Sequence, residues 1–215
     1  MVDFRSALGI SMASLMTVNA AAQKAASFRQ CTPNIVLILM DDMGYGDLGR
    51  TGANQYETPN LNRLANQGMQ FTWYYSPQAV SSASRAGLLT GCYPNRIGIH
   101  GALMPWATYG INSEETTIAE MLKNKGYHTG IIGKWHLGHQ KEFLPLQHGF
   151  DEYYGLPYSN DMWPVDYDGI PIAAKDTASP KMRFPVLPLV EGNEKVGEGR
   201  TPSDPDKLTT IYTEH

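Results

Sequence analysis

Three short runs of this chain carry side chains that could act together on an anion. In Ser81-Ser82-Ala83-Ser84-Arg85 a hydroxyl stands four residues before a guanidinium. If the stretch is helical, the two lie one turn apart on the same face, a hydroxyl beside a permanent cation. A serine-rich stretch ahead of Leu88 and Leu89 fits an ordinary polar helix cap as well. A second run ends in Gly133-Lys134-Trp135-His136, which pairs a compact cation suited to an oxyanion with a ring that exchanges protons near neutral pH. The third is Asp41-Asp42, directly after an apolar run. Its oxygen-only donors suit a hard cation, calcium or magnesium, and would equally suit a solvated turn.

The elements needed to position these groups are legible as alternating strand and helix. Residues 34–40 form a continuous apolar run rich in branched side chains, the pattern of a strand buried in a mostly parallel sheet. Asp41 and Asp42 would stand at its carboxyl end, where open α/β sheets hold their ligands, with Gly44 and Gly46 permitting the turn that lets both reach one ion. Thr58 and Pro59 open a helix with Leu61, Leu64 and Ala65 on one face and Gly68 at its stop. Thr117 and Glu120 form a capping-box pattern, and Gly126 ends the helix that follows. A strand over residues 128–132 would deliver Lys134 and His136 just past its carboxyl end. Ser81, just ahead of its own helix, would present first-turn N–H groups to a bound anion.

The first run resembles the signature C/S-x-P/A-S/A-R of the sulfatase family, and residues 126–138, Gly126-Tyr127-His128-Thr129 through Gly133-Lys134-Trp135-His136-Leu137-Gly138, resemble its G-Y-x-T-x-x-x-G-K-W-H-L-G. Gly155-Leu156-Pro157-Tyr158-Ser159-Asn160-Asp161 is similar to the G-I-P-Y-S-H-D segment of arylsulfatase A-type members, with Asn160 in place of the histidine. The resemblance implies an alkaline phosphatase-like α/β fold, a mostly parallel central sheet flanked by helices. It implies hydrolysis of sulfate esters, with carbohydrate sulfates the favoured substrates of an exported enzyme. Ser81 would be oxidised by a maturation enzyme to formylglycine, whose hydrate attacks sulfur; serine at this position resembles the type matured by a radical enzyme. A geminal diol suits the task because its second hydroxyl can expel sulfate by re-forming the aldehyde, where a sulfated serine would be trapped. Arg85 would hold the diol, Lys134 bind a sulfate oxygen, His136 take a proton from the diol, and Ser159 approach the sulfate. Asp41, Asp42 and residue 81 itself would be metal ligands, for calcium or alternatively magnesium. A phosphomonoesterase or phosphonate hydrolase of the same superfamily, and a non-catalytic binder of sulfated glycans, remain the rival readings.

The remaining sequence sets the context. Arg5, an apolar segment over residues 7–18 and Ala20-Ala21-Ala22 read as a signal peptide over residues 1–22, leaving 23–215 as the N-terminal portion of a catalytic domain in a periplasmic or secreted protein. That apolar segment is too short for stable membrane insertion. Cys31 and Cys92 could pair or stay free. A net charge of -4 with 18% charged residues offers no basic footprint for nucleic acid. Leu208, Ile211, Tyr212 and His215 fall at helical spacing and run to the last residue, the pattern of an interrupted helix. The family's further metal ligands and a second lysine and histidine would then lie in a later half.

Overall fold

A computed structural model describes residues 32–166, 170–199 and 207–215 of the chain. The reading of residues 1–22 as a signal peptide, and Cys31, fall outside them. The chain divides into two units, Met1–Asp47 and Leu48–His215.

In the first unit, residues 34–40 form neither helix nor strand, and their apolar side chains are exposed, Val36 to 82%. The expected buried strand is therefore not formed. An apolar run specifies that it should be covered, but a strand exists only where a neighbour supplies ladder partners for its N–H and C=O groups. The turn expected after it is present. Asp42 makes it, with φ 56°, rather than Gly44 or Gly46. Asp47 closes the following loop, its carboxylate accepting from the Gly44 N–H at 2.6 Å.

The second unit holds helix α1 (Pro59–Gln67), α2 (Ser81–Thr90), α3 (Ile118–Lys123) and α4 (Lys207–Glu214), with strands β1 (Gly130–Lys134), β2 (Glu152–Leu156), β3 (Pro188–Glu191) and β4 (Glu194–Glu198). The strands form one sheet in the order β1-β2-β3-β4. β1 and β2 are parallel, in register from Gly130 opposite Glu152 to Lys134 opposite Leu156. β3 and β4 join them antiparallel, so the sheet is mixed within an α/β arrangement. Gly192-Asn193 makes the β3–β4 hairpin turn, Gly192 at φ 59°, a signal present in the sequence as a Gly-Asn pair between two strand-like runs.

The local chemistry accounts for the helices. In α3 the capping box is complete: the Thr117 hydroxyl accepts from Glu120 N, and the Glu120 carboxylate accepts from Thr117 N at 2.6 Å. α1 begins at Pro59 and stops at Gly68 as its sequence demands. Thr58 does not cap it, because its hydroxyl is engaged by the Gly49 N–H and Asn62 instead. Leu61 and Leu64, expected together on one face, are exposed.

Two apolar clusters hold the unit together. One packs Ala83, Ala86 and Leu89 of α2 against Ile99, Ile111 and Trp135; the other gathers Leu156, Tyr158, Trp163, Leu187 and Leu208. Burying a side chain of this size stabilises by about 1.5–3 kcal/mol. Two of the three motifs thus sit beside these clusters, on α2 and at the carboxyl end of β1, while Asp41 and Asp42 lie in the first unit.

Candidate active site

Ser81 is the first residue of α2, and Val80, the residue at the cap position, contributes no side-chain cap. The plain helix-cap role for Ser81 is therefore not the one it plays. α2 turns Ser82, Ala83, Ala86 and Leu89 into the core, which leaves Ser81 and Arg85 together on a half-buried stripe. Arg85 Nε lies 3.4 Å from Ser81 Oγ, and its Nη1 donates to the Lys134 carbonyl at 2.6 Å. One guanidinium thus ties the start of the helix to the end of β1, a two-ended task that suits its rigid fork.

β1 runs two residues further than the expected strand and includes Lys134, because its pairing with β2 continues to Leu156. Gly133 and Gly155 face each other in this ladder, and a Cβ on Gly155 would stand 1.8 Å from Gly133 O. Past the strand, Trp135 N and His136 N still follow the neighbouring chain, donating to Leu156 O at 2.8 Å and Pro157 O at 3.2 Å. This tracking brings Ser159 alongside. Lys134 Nζ donates to Ser159 Oγ at 3.1 Å, joining two groups that the sequence separates by 25 residues.

His136 has φ 62°, a left-handed conformation rare outside glycine. Among the described residues only Asp42 and His136 are non-glycine residues with positive φ, and both were singled out by the sequence. Backbone strain of about 1–3 kcal/mol persists only where surrounding structure holds it, and it gathers at functional sites. What holds His136 is close by: the ring is 1% exposed, and its Nε2 lies 2.9 Å from the Leu103 carbonyl. A carbonyl only accepts, so Nε2 carries a proton, and in the neutral form of the ring the lone pair is on Nδ1. The Leu103 N–H in turn donates to the hydroxyl of Ser82 at 2.9 Å. Sequence reasoning missed Ser82 and Leu103. The signal was available, since a serine on the apolar stripe of a helix needs a buried partner.

Two further rings pack close to these motifs, those of His148 and Tyr158. His148 is fully buried and stacks on Trp135 at 6.1 Å, and burial pushes its pKa down. Tyr158, next to Ser159, is buried against the edge of His139 and pushed up to about 12 by desolvation. Asp41 and Asp42 belong to the other unit and are exposed. Among the described residues no three His, Cys, Asp or Glu side chains gather closely enough to hold a metal. Cys92 is free and half-buried.

A hydroxyl, a guanidinium, an ammonium and a second hydroxyl are thus linked between the helix start and the strand ends, with the buried imidazole of His136 two residues beyond Lys134. The family model described as Sulfatase matches residues 33–180. The chain belongs to the sulfatase family. Arylsulfatase A of Bos taurus is 50% identical to this sulfatase over 135 residues, which cover 61% of the chain and 27% of the relative. N-acetylgalactosamine-6-sulfatase of Mus musculus is 41% identical over 214 residues, covering 93% of the chain and 38% of the relative. The solved structure of Ps i-CgsB in complex with k-i-k-neocarrahexaose is similar with a TM-score of 0.61 and 32% identity, over 76% of this chain and 37% of that one. This sulfatase chain therefore spans roughly a quarter to two fifths of the length of these relatives.

Proposed function

We propose that this sulfatase contributes its residues to the hydrolysis of a sulfate ester, with residue 81 as nucleophile. The observation that carries the reading is the connected line Ser81–Arg85–Lys134–Ser159, with His136 in a left-handed conformation just past the end of the same strand. As formylglycine hydrate, residue 81 would supply a geminal diol. One hydroxyl attacks sulfur as the ester's S–O bond breaks and the alcohol leaves. The second, on losing its proton, expels sulfate as the aldehyde re-forms, which water then rehydrates. Arg85 orients that residue, since it already meets the Ser81 hydroxyl. Lys134 and Ser159, in contact with each other, converge on non-reacting sulfate oxygens and offset the charge there. His136 holds the proton exchange at Nδ1, the ring nitrogen that keeps the lone pair while Leu103 occupies Nε2.

The donor chemistry of Asp41 and Asp42, two hard carboxylates, fits calcium or magnesium, and these residues would hold such an ion. The chemistry such an ion supplies is Lewis-acid polarisation of an oxyanion. A sulfated glycan is the proposed substrate class, supported by the name of the N-acetylgalactosamine-6-sulfatase relative and by the neocarrahexaose in the Ps i-CgsB complex. The proposed maturation of Ser81 requires a formylglycine-generating partner, and the proposed setting is periplasmic or extracellular. Among the described residues no helix is long and apolar enough to cross a membrane.

The test compares an aryl sulfate with the matching aryl phosphate, using the full-length protein co-expressed with a maturation enzyme and supplied with calcium. Sulfate release should exceed phosphate release, vanish on chelation and in Ser81→Ala, and fall by about 10²–10³-fold in Lys134→Ala, the usual loss when one charge-stabilising donor is removed. Cleavage of the phosphate ester alone would replace this reading with the phosphatase one.

A further inference from the structure

We propose that Ser82, the neighbour of the nucleophile position, is a positioning residue that fixes the ring of His136 through Leu103; this rests on the role given to His136 above. Ser82 has no exposed surface, and it faces the core side of α2 while Ser81 faces the site. Its hydroxyl accepts from the Leu103 N–H at 2.9 Å, and the carbonyl of the same Leu103 accepts from His136 Nε2 at 2.9 Å. Leu103 is 3% exposed and His136 1% exposed, so water is not at hand to replace either bond.

Two consequences follow from this geometry. The backbone of His136 is at φ 62°, a conformation that does not by itself choose a ring direction, so the bond on Nε2 makes that choice. The carbonyl on Nε2 also sets the tautomer, placing the lone pair on Nδ1. Both depend on where the Leu103 segment sits, and the Ser82 hydroxyl is the α2 group that holds its N–H. The motif therefore does two jobs with adjacent serines: Ser81 presents a group to be converted, and Ser82 holds in place the residue that handles its proton.

The experiment follows the ring nitrogens of His136 by ¹⁵N-resolved NMR in the full-length protein, alongside kinetics on an aryl sulfate. Wild type should show a single tautomer protonated at Nε2. Ser82→Ala should give a mixture of tautomers and a kcat lower by roughly 10–100-fold, the loss typical of an outer hydrogen-bond partner, with KM little changed because Lys134 and Ser159 are untouched. Ser82→Thr, which keeps the hydroxyl, should restore both. If Ser82→Ala destabilises the fold, Ser82→Cys, close in volume but a poor acceptor, should show the same tautomer mixing. Retention of the pure Nε2–H tautomer in both variants would overturn the proposal. The NMR signal does not depend on turnover, so an inactive wild-type protein would count against the sulfatase reading alone.

Discussion

Replacing Gly155 by Ala tests the frame that delivers Lys134 and His136. Gly155 lies opposite Gly133 in the parallel β1–β2 ladder, and its added Cβ would stand 1.8 Å from Gly133 O, 2.6 Å from Gly133 C and 2.9 Å from Gly133 N. The first distance is about half the optimum of about 3.5 Å for non-bonded atoms. All three atoms are backbone, so no rotamer change can relieve the clash. The strands must part, and the ladder bonds flanking Gly133 are weakened. Overpacking costs about 1–3 kcal/mol where side chains can adjust; a backbone clash belongs at the top of that range, about 3 kcal/mol. For a domain of this size that corresponds to a fall in Tm of about 6–12 °C. Gly130→Ala is the matched control in the same ladder, because its Cβ would meet only Glu152 Cβ at 3.9 Å and its φ is not positive. Thermal unfolding followed by circular dichroism should separate the two variants clearly. Equal Tm values for Gly155→Ala and Gly130→Ala would refute the close pairing of β1 with β2.

Thr117→Ala should lower stability by about 1–2 kcal/mol, since the hydroxyl both caps α3 and donates to the His148 carbonyl at 2.8 Å; Thr117→Ser should lose much less, and denaturant midpoints measure both. Stability should fall as pH drops below about 6.5, because burial holds His148 below its ordinary pKa and only the unfolded chain takes up that proton; the contribution is complete above the unfolded value and lost as pH falls through the folded one. His148→Gln should flatten this slope in melts between pH 7 and 5. A second loss should appear as pH falls toward 2, where Asp151, held low to about 2 by its hydrogen bond to Lys123, finally protonates, and Asp151→Asn should remove it.

Much of the frame around the proposed site was legible because it is tied to local signals. Pro59 and Gly68 bound α1, and Thr117 with Glu120 made the capping box that the sequence spelled out. Lys134 and His136 stand at a strand end as their spacing required, even though the strand lies two residues further on. Register could not be read, since it comes from pairing with β2, a partner that local pattern does not name. The same limit explains residues 34–40, where hydrophobicity called for burial but no ladder forms. It also explains β3 and β4, whose antiparallel pairing turns the expected mostly parallel sheet into a mixed one within the described residues. The contacts that organise the site, Arg85 with the Lys134 carbonyl and Ser82 with Leu103, are tertiary; residue types suggested the participants and only the fold supplies the partners.

The central claim is that residue 81 is the reactive group, and the mass of the peptide containing it tests this most directly. Protein made with a maturation enzyme, and active on a sulfate ester, should yield that peptide lighter than the encoded sequence by two hydrogens and reactive toward an aldehyde probe, with Ser82 and Ser84 unchanged. An unmodified serine at position 81 in protein that turns over sulfate esters at full rate would contradict the account.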